Sequence, residues 1–216
     1  MVRFVVMASG QATRMGQDKL SLPWQDSTVL EYVLQVLDQA LNLTPKDFTK
    51  SAEVWVIARK PIREYIKSEN WIASAKMKSD NPVKHVWLNR PEPRPLSETI
   101  RLGIADLSEK MQGICFIPGD QVGLEPIKLA ELISFFIENQ PDFLVPWVAE
   151  NKLSGSPVFF HKLYYQELRS LQGEQGGRAV LNRYPERWVK YSVPPEFLED
   201  IDTPEDYRRL RSLKLK

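Results

Sequence analysis

Five short apolar runs, each leading into a turn or a helical pattern, constrain this chain more than any other feature. They lie at residues 2–8, 53–58, 83–88, 113–117 and 143–147. Runs of this length, nearly continuous in Val, Ile and aromatics, suit strands covered on both faces. The segments between them carry a helical period. Leu30, Val33, Leu34, Leu37 and Leu41 follow a Thr28-to-Glu31 capping box. Pro61 starts a second predicted helix that runs into the 70s. Leu96, Ile100, Ile104 and Leu107 mark one helical face, and Leu129, Leu132, Ile133, Phe136 and Ile137 mark another. Alternation of this kind predicts an α/β fold with a parallel sheet and right-handed crossovers, whose ligands sit beyond the carboxyl ends of the strands.

Past residue 150 the alternation loosens. Short strands are predicted at 158–160 and 188–191, and a last helix starts at Thr203, Pro204, Glu205 and Asp206, a cap followed by two carboxylates at the positive helix end. Two hundred and sixteen residues, 43% hydrophobic and 26% charged, suit a single domain with a sizeable core.

Charge and cysteine content exclude several classes. Twenty-nine basic against 28 acidic side chains, net +1, leave no electrostatic footprint for nucleic acid or an anionic membrane. No run approaches 18 apolar residues, and no leader pattern precedes the first strand, so the expectation is a cytoplasmic protein. The single Cys115 can form neither an internal disulfide nor a thiolate zinc site and is read as core. His85 and His161 have no metal-ligand partner in the pattern.

The chemistry concentrates at the end of the first strand. Ala8, Ser9, Gly10, Gln11, Ala12 and Thr13 form a small-residue loop, and Arg14, Gly16 and Lys19 follow it closely. Such a loop can present backbone N–H groups to an anion, with two cations behind it for a polyphosphate. The spacing is neither GxxxxGK[ST] nor GxGxxG. A second element, Asp120 in a Pro-Gly-Asp turn after the run at 113–117, is a candidate Mg²⁺ ligand, because magnesium takes one or two carboxylates plus phosphate and water oxygens. Asp200 or Asp202 is a candidate second carboxylate; Glu205 and Asp206 are read as capping residues only.

Four motifs in order give the chain a family resemblance. Residues 8–16 with Lys19 and Leu20 resemble A-A-G-x-S-x-R-M-G-x-x-K-L. Residues 97–103 resemble S-S-S-[IL]-x-x-G. Gly119, Asp120 and Gln121 resemble G-D-Q-P. The fourth comprises Gly155, Ser156 and Pro157, then Gly176, Gly177 and Arg178, then residues 200–206. Together they are similar to the molybdenum cofactor cytidylyltransferases of the MobA-like nucleotidyltransferase superfamily. The resemblance implies a Rossmann-like three-layer α/β/α nucleotidyltransferase fold with a mostly parallel sheet, its nucleotide-binding half at 1–125 and its acceptor-binding half at 126–216.

It further implies CMP transfer from CTP to the phosphate of molybdopterin, with Mg²⁺ as cofactor and an apo-molybdoenzyme as a further partner. The loop from Ser9 to Thr13 would cradle the triphosphate, with Arg14 and Lys19 on its oxygens and Asp120 in the catalytic centre. Ser97 and Thr99 would lie near the base or ribose. Asp120 with Asp200 or Asp202 would hold the metal, and Gly155, Ser156, Pro157, Gly176, Gly177 and Arg178 would line the acceptor side. Ser9, Ala12, Val122 and Ser156 depart from the family pattern. They keep two alternatives open: another phosphorylated acceptor, such as a sugar phosphate or methylerythritol phosphate, and a non-catalytic cofactor-holding chaperone.

Overall fold

Side chains of the first strand, β1 (Val2–Ala8), divide between two apolar layers: Val2, Phe4, Val6 and Ala8 enter one, and Val5 the other. That alternation is the pleat of a strand buried on both faces. A computed structural model describes residues 1–10, 15–49, 52–69, 71–72 and 83–214. Its further strands are β2 (Pro23–Trp24), β3 (Ser27–Thr28), β4 (Glu53–Ala58), β5 (Lys84–Asn89), β6 (Gly113–Pro118), β7 (Phe143–Val148), β8 (Leu153–Ser154), β9 (Val158–His161) and β10 (Trp188–Ser192). The helices are α1 (Val29–Leu43), α2 (Lys46–Thr49), α3 (Leu96–Gly103), α4 (Pro126–Asn139), α5 (Tyr165–Arg169), α6 (Gly177–Leu181) and α7 (Pro204–Lys214).

The main sheet runs β10-β7-β9-β6-β1-β4-β5, with β8 added on β7. Strands β1, β4, β5 and β6 are mutually parallel, and so are β7 and β10; β9 runs antiparallel between β6 and β7. Leu34 and Leu37 of α1 with Leu129 and Phe136 of α4 cover one face. Ile100 of α3, Leu168 of α5 and Val180 of α6 cover the other. Each such fully buried side chain contributes about 1.5–3 kcal/mol. The three-layer, mostly parallel architecture is the one the pattern and the resemblance imply, and Cys115 is fully buried as expected.

Two local expectations, the helix from Pro61 and the full capping box, are corrected. The short strand expected at 158–160 is present, and it enters the sheet antiparallel between β6 and β7. The helix predicted from Pro61 is interrupted: it begins as a 3-10 turn, Ile62–Glu64, and helix is regained only at Glu69, Trp71 and Ile72, while residues 70 and 73–82 of that prediction lie outside the described residues. The chain leaves the helix because the Glu31 carboxylate accepts from the backbone N–H groups of Lys67 and Ser68, at 3.1 and 2.7 Å, partners a continuing helix would supply itself. For the same reason the capping box at α1 is half made: Thr28 Oγ1 accepts from the Glu31 N–H, while the Glu31 side chain goes elsewhere. Before α1, strands β2 and β3 form a small hairpin that the pattern does not signal.

Arg3 lies inside β1 at 1% exposure, within a run that reads as apolar. Its guanidinium meets the Glu53 carboxylate at 2.7 Å, donates to the carbonyls of Gly103 and Ala105, and stacks on Trp55 at 3.9 Å. A buried charge is tolerated when paired and hydrogen-bonded in this way. Burial works to raise the Glu53 carboxyl, but the Arg3 charge and hydrogen bond, helped by Lys84, hold it below its ordinary value.

Candidate active site

Sheet order reverses at β1: its parallel neighbours are β4 on one side and β6 on the other. The carboxyl ends of β1 and β6 therefore open on the crevice where α/β sheets bind ligands. Gly119 closes the β6 end against β1 by donating its N–H to the Met7 carbonyl at 3.1 Å. A Cβ on Gly119 would stand 3.1 Å from that oxygen and 3.2 Å from Leu30 Cδ1. The turn sets Asp120 at the crevice edge. Ile201 N–H then donates to the Asp120 carbonyl at 3.1 Å, and Gly123 N–H to the Glu199 carbonyl at 2.9 Å. These two bonds tie the segment before α7 to the turn after β6. Gly123 must lack a side chain, since a Cβ there would lie 1.9 Å from the Glu196 carbonyl oxygen.

Lys19 joins the two ends of the chain. Its ammonium makes an ion pair with Asp120, donates to Asp202 Oδ1 at 3.2 Å and donates to the Ile201 carbonyl at 2.7 Å. Burial works to lower the Lys19 ammonium, but the charges and hydrogen bonds of Asp120 and Asp202 outweigh it and hold it above its ordinary value. Burial raises the Asp120 carboxyl in spite of Lys19. Asp200 meets solvent on its outer side, yet burial of its inner side and the charges of Asp120 and Asp202 push it up to about 6. Three carboxylates thus share one described ammonium.

The turn that carries Lys19 is itself anchored. Asp18 caps it by accepting from Leu20 N–H at 3.2 Å, and receives the Tyr65 hydroxyl at 2.9 Å and the Lys60 ammonium at 2.9 Å. Sequence reading missed Asp18, Lys60 and Tyr65; adjacency to Lys19 was the one available signal, and it fits only Asp18. Gly16 adopts φ +65°, the left-handed conformation that favours glycine.

The remaining predicted residues are distributed as follows. Ala8 and Ser9 are buried and Gly10 is exposed at the β1 end; Gln11, Ala12, Thr13 and Arg14 lie outside the described residues. Ser9 Oγ and Thr99 Oγ1 share a hydrogen bond of 2.7 Å inside the protein, so Thr99 ties Ser9 at the β1 end to α3. Ser97 is 0% exposed and its hydroxyl has no partner among the described residues. Two cavities flank residues 154–156. One, about 120 Å³, is mainly apolar and is lined by Leu96, Phe116 and Phe160 together with Gly155, Ser156, Gly177 and Arg178. The other, about 320 Å³, is lined by Pro118, Gln121, Leu153, Ser154, Gly155, Ser156, Leu198 and Asp200. Gly176 backs onto Leu96, and the Ser156–Pro157 bond is cis. Neither histidine is here: His85, paired with Asp38, and His161, opposite Gly113, lie at the level of the amino ends of the parallel strands, away from the crevice.

Fitness for a divalent cation follows from the donor set. Asp120 and Asp202 bring two carboxylates to one cation, Lys19, which matches the one or two carboxylates that magnesium takes beside phosphate and water oxygens. Among the described residues no group of three or more His, Cys, Asp or Glu forms a ready-made cage. No helix among them is long and apolar enough to cross a membrane.

A search of the curated proteins finds no match. Among solved structures, Rv0371c from Mycobacterium tuberculosis H37Rv is similar at TM-score 0.69 and 24% identity over 98% of each chain. Its complex with manganese is similar at TM-score 0.62 and 23% identity, again over 98% of each. A nucleotidyl transferase from Methanothermobacter thermautotroptrophicus gives TM-score 0.64 and 22% identity over 100% of this chain and 98% of that one. The 4-diphosphocytidyl-2C-methyl-D-erythritol synthase of Anaerococcus prevotii gives 0.65 and 12% over 100% and 99%. At these identities the likeness is one of fold. A family model carries the sequence further: residues 4–188, spanning the β1 loop, Asp120 and both cavities' shared wall, match the MobA-like NTP transferase domain, and the chain belongs to that family of nucleotidyltransferases.

Proposed function

We propose that the protein transfers CMP from CTP to the phosphate of molybdopterin and releases pyrophosphate. The observation that carries the reading is the meeting of Lys19 with Asp120 and Asp202, brought from opposite ends of the sequence to the β1–β6 crevice. The acceptor's phosphate monoester, with a second pKa near 6, is largely dianionic at neutral pH. It needs no general base, which suits a crevice that neither histidine approaches. In the reaction an acceptor phosphate oxygen bonds to the α-phosphorus as the bond to the departing pyrophosphate breaks. Lys19, with Arg14 from the preceding loop, would neutralise the phosphate oxygens, and the Ser9 to Thr13 backbone would hold them in line.

Asp120 and Asp202 would hold Mg²⁺, whose bound form would supply Lewis-acid stabilisation of charge on the triphosphate. The manganese complex of Rv0371c supports a divalent ion on this fold. Asp18, Lys60 and Tyr65 would keep the Lys19 turn in place. Ser97 and Thr99 would shape the nucleoside end from behind the loop, and Gly155, Ser156, Pro157, Gly176, Gly177 and Arg178 would line the acceptor side. The nucleotide half, 1–125, and the acceptor half, 126–216, would thus meet across the crevice.

The choice of cytidine and of molybdopterin rests on the resemblance of Ala8-Ser9-Gly10 to the A-A-G form of the family's first loop and on the order of the four motifs. Pyrophosphate release from CTP and from GTP, with and without purified molybdopterin and with Mg²⁺ or Mn²⁺, tests it. Turnover with CTP and molybdopterin is expected; turnover with GTP alone, or with a sugar phosphate in place of the pterin, overturns it.

A further inference from the structure

Gln121, in the wall of the larger cavity beside the crevice, carries a buried acceptor that no described residue uses. Gln121 is 1% exposed. Its Nε2 donates to the Ser156 carbonyl at 2.6 Å and to the Phe197 carbonyl at 3.0 Å. Two carbonyl acceptors settle which end of the amide is nitrogen, because the flipped group would set oxygen against oxygen. Oε1 is then left buried, with no partner among the described residues. The two donations account for the amide nitrogen, since they tie the turn after β6 to the 154–156 wall and to the segment before Asp200. They do not account for the oxygen, whose desolvation is uncompensated.

The same cavity has Asp200 at its mouth. Of the three aspartates, Asp202 and Asp120 are engaged by Lys19, whereas Asp200 lines the cavity. Among the described residues its polar lining is therefore Gln121, Asp200, Ser154 and Ser156, with no Lys, Arg or His. An amide oxygen and a carboxylate present acceptors only, with the two serines able to serve either way. Such a wall favours a ligand edge bearing N–H donors over one bearing carbonyl or phosphate oxygens.

We infer that Gln121 and Asp200 are the specificity-determining pair of the acceptor pocket, and that they read adjacent N–H donors on the acceptor's ring. The inference rests on the reading of this pocket as the acceptor side. With a pterin acceptor, the edge read is the 2-amino group and the neighbouring ring N–H. Asp120 and Asp202 keep the metal and Lys19, and Asp200 is released for recognition.

The test uses two fragments without phosphate, so that neither can react. 6-Hydroxymethylpterin carries the 2-amino donor; 6-hydroxymethyllumazine carries an oxygen acceptor in its place. Each is titrated by its fluorescence against the full chain with CTP and Mg²⁺ present. The wild-type protein is expected to prefer the pterin by roughly ten-fold or more, as sites built around a donor reject the analogue lacking it. Asp200→Asn, which keeps the shape and adds a donor, is expected to bring the two fragments within about two-fold, by weakening the pterin and helping the lumazine. Gln121→Met is expected to reduce the preference in the same direction. The comparison in the wild-type protein stands even where a variant folds poorly. Equal binding of the two fragments, no binding of either, or a preference that survives Asp200→Asn overturns the inference. Discrimination between fragments, with no pyrophosphate release from CTP and phosphorylated molybdopterin, would instead sink the proposed reaction and leave this pocket assignment standing.

Discussion

Strand β1 carries a charged cluster near each end, and the two are built on opposite principles. At the amino end, one carboxylate, Glu53, receives Arg3 and Lys84, and its pKa is held down. Backbone carbonyls and the Trp55 face take up the rest of the guanidinium. At the carboxyl end, three carboxylates face one described ammonium, and Asp120 and Asp200 are both raised. The first cluster is electrostatically complete, as a structural pair in a core must be. The second holds more negative charge than its described partners neutralise, which costs stability and is what a site for a cation and a polyphosphate requires. Sequence gives little hint of the contrast, because both clusters are charged residues in or after an apolar run.

The contrast breaks most visibly at Asp120. Asp120→Asn is expected to lower kcat for pyrophosphate release by about 10³-fold or more, while Tm stays level or rises, since a buried carboxylate is removed. A variant with more than a tenth of wild-type kcat would deny Asp120 its role. Arg3→Met should do the reverse. Leaving the part-buried Glu53 with only Lys84 and the Trp55 N–H as partners is expected to cost about 3 kcal/mol in urea unfolding, with kcat per folded molecule unchanged. Lys19→Met falls between them. Loss of one cation at the α-phosphate is expected to lower kcat by about 10²-fold, with a smaller change in Tm than at Arg3, because Lys19 is only part-buried.

These expectations also mark what the sequence could carry. Strands β1, β4 and β6 were legible because a parallel strand buried on both faces is a continuous apolar run, and α4 because its period is clean. The partner of β9 was not, since a strand's pattern states which faces are buried but not beside whom it lies. The short turn after Pro61 was hidden because its cause, the Glu31 carboxylate, sits 36 residues away. At the site, Lys19 and Asp120 were legible from a loop and a turn at strand ends. Asp200 and Asp202 were not separable, being two residues apart in one Asp-Ile-Asp run; the backbone bond from Ile201 to Asp120 sends them to different neighbours. Gln121 was visible only as part of a motif, and its orphaned oxygen is a property of the fold.

The mildest prediction tests whether the amino-end cluster is complete in the sense argued. Because the folded Glu53 pKa lies below its ordinary value of 4.5, the unfolded chain binds its proton first as pH falls. Glu53 therefore adds stability that is fully present above that value and is lost as pH drops through the folded pKa. Wild type should exceed Glu53→Gln in unfolding free energy at pH 7, and the gap should narrow as urea titrations move from pH 5 toward pH 3. A gap that stays constant over that interval would mean that packing against Trp55, rather than charge, holds Arg3 in the strand. The two ends of β1 would then differ in which residues they hold and not in electrostatic design.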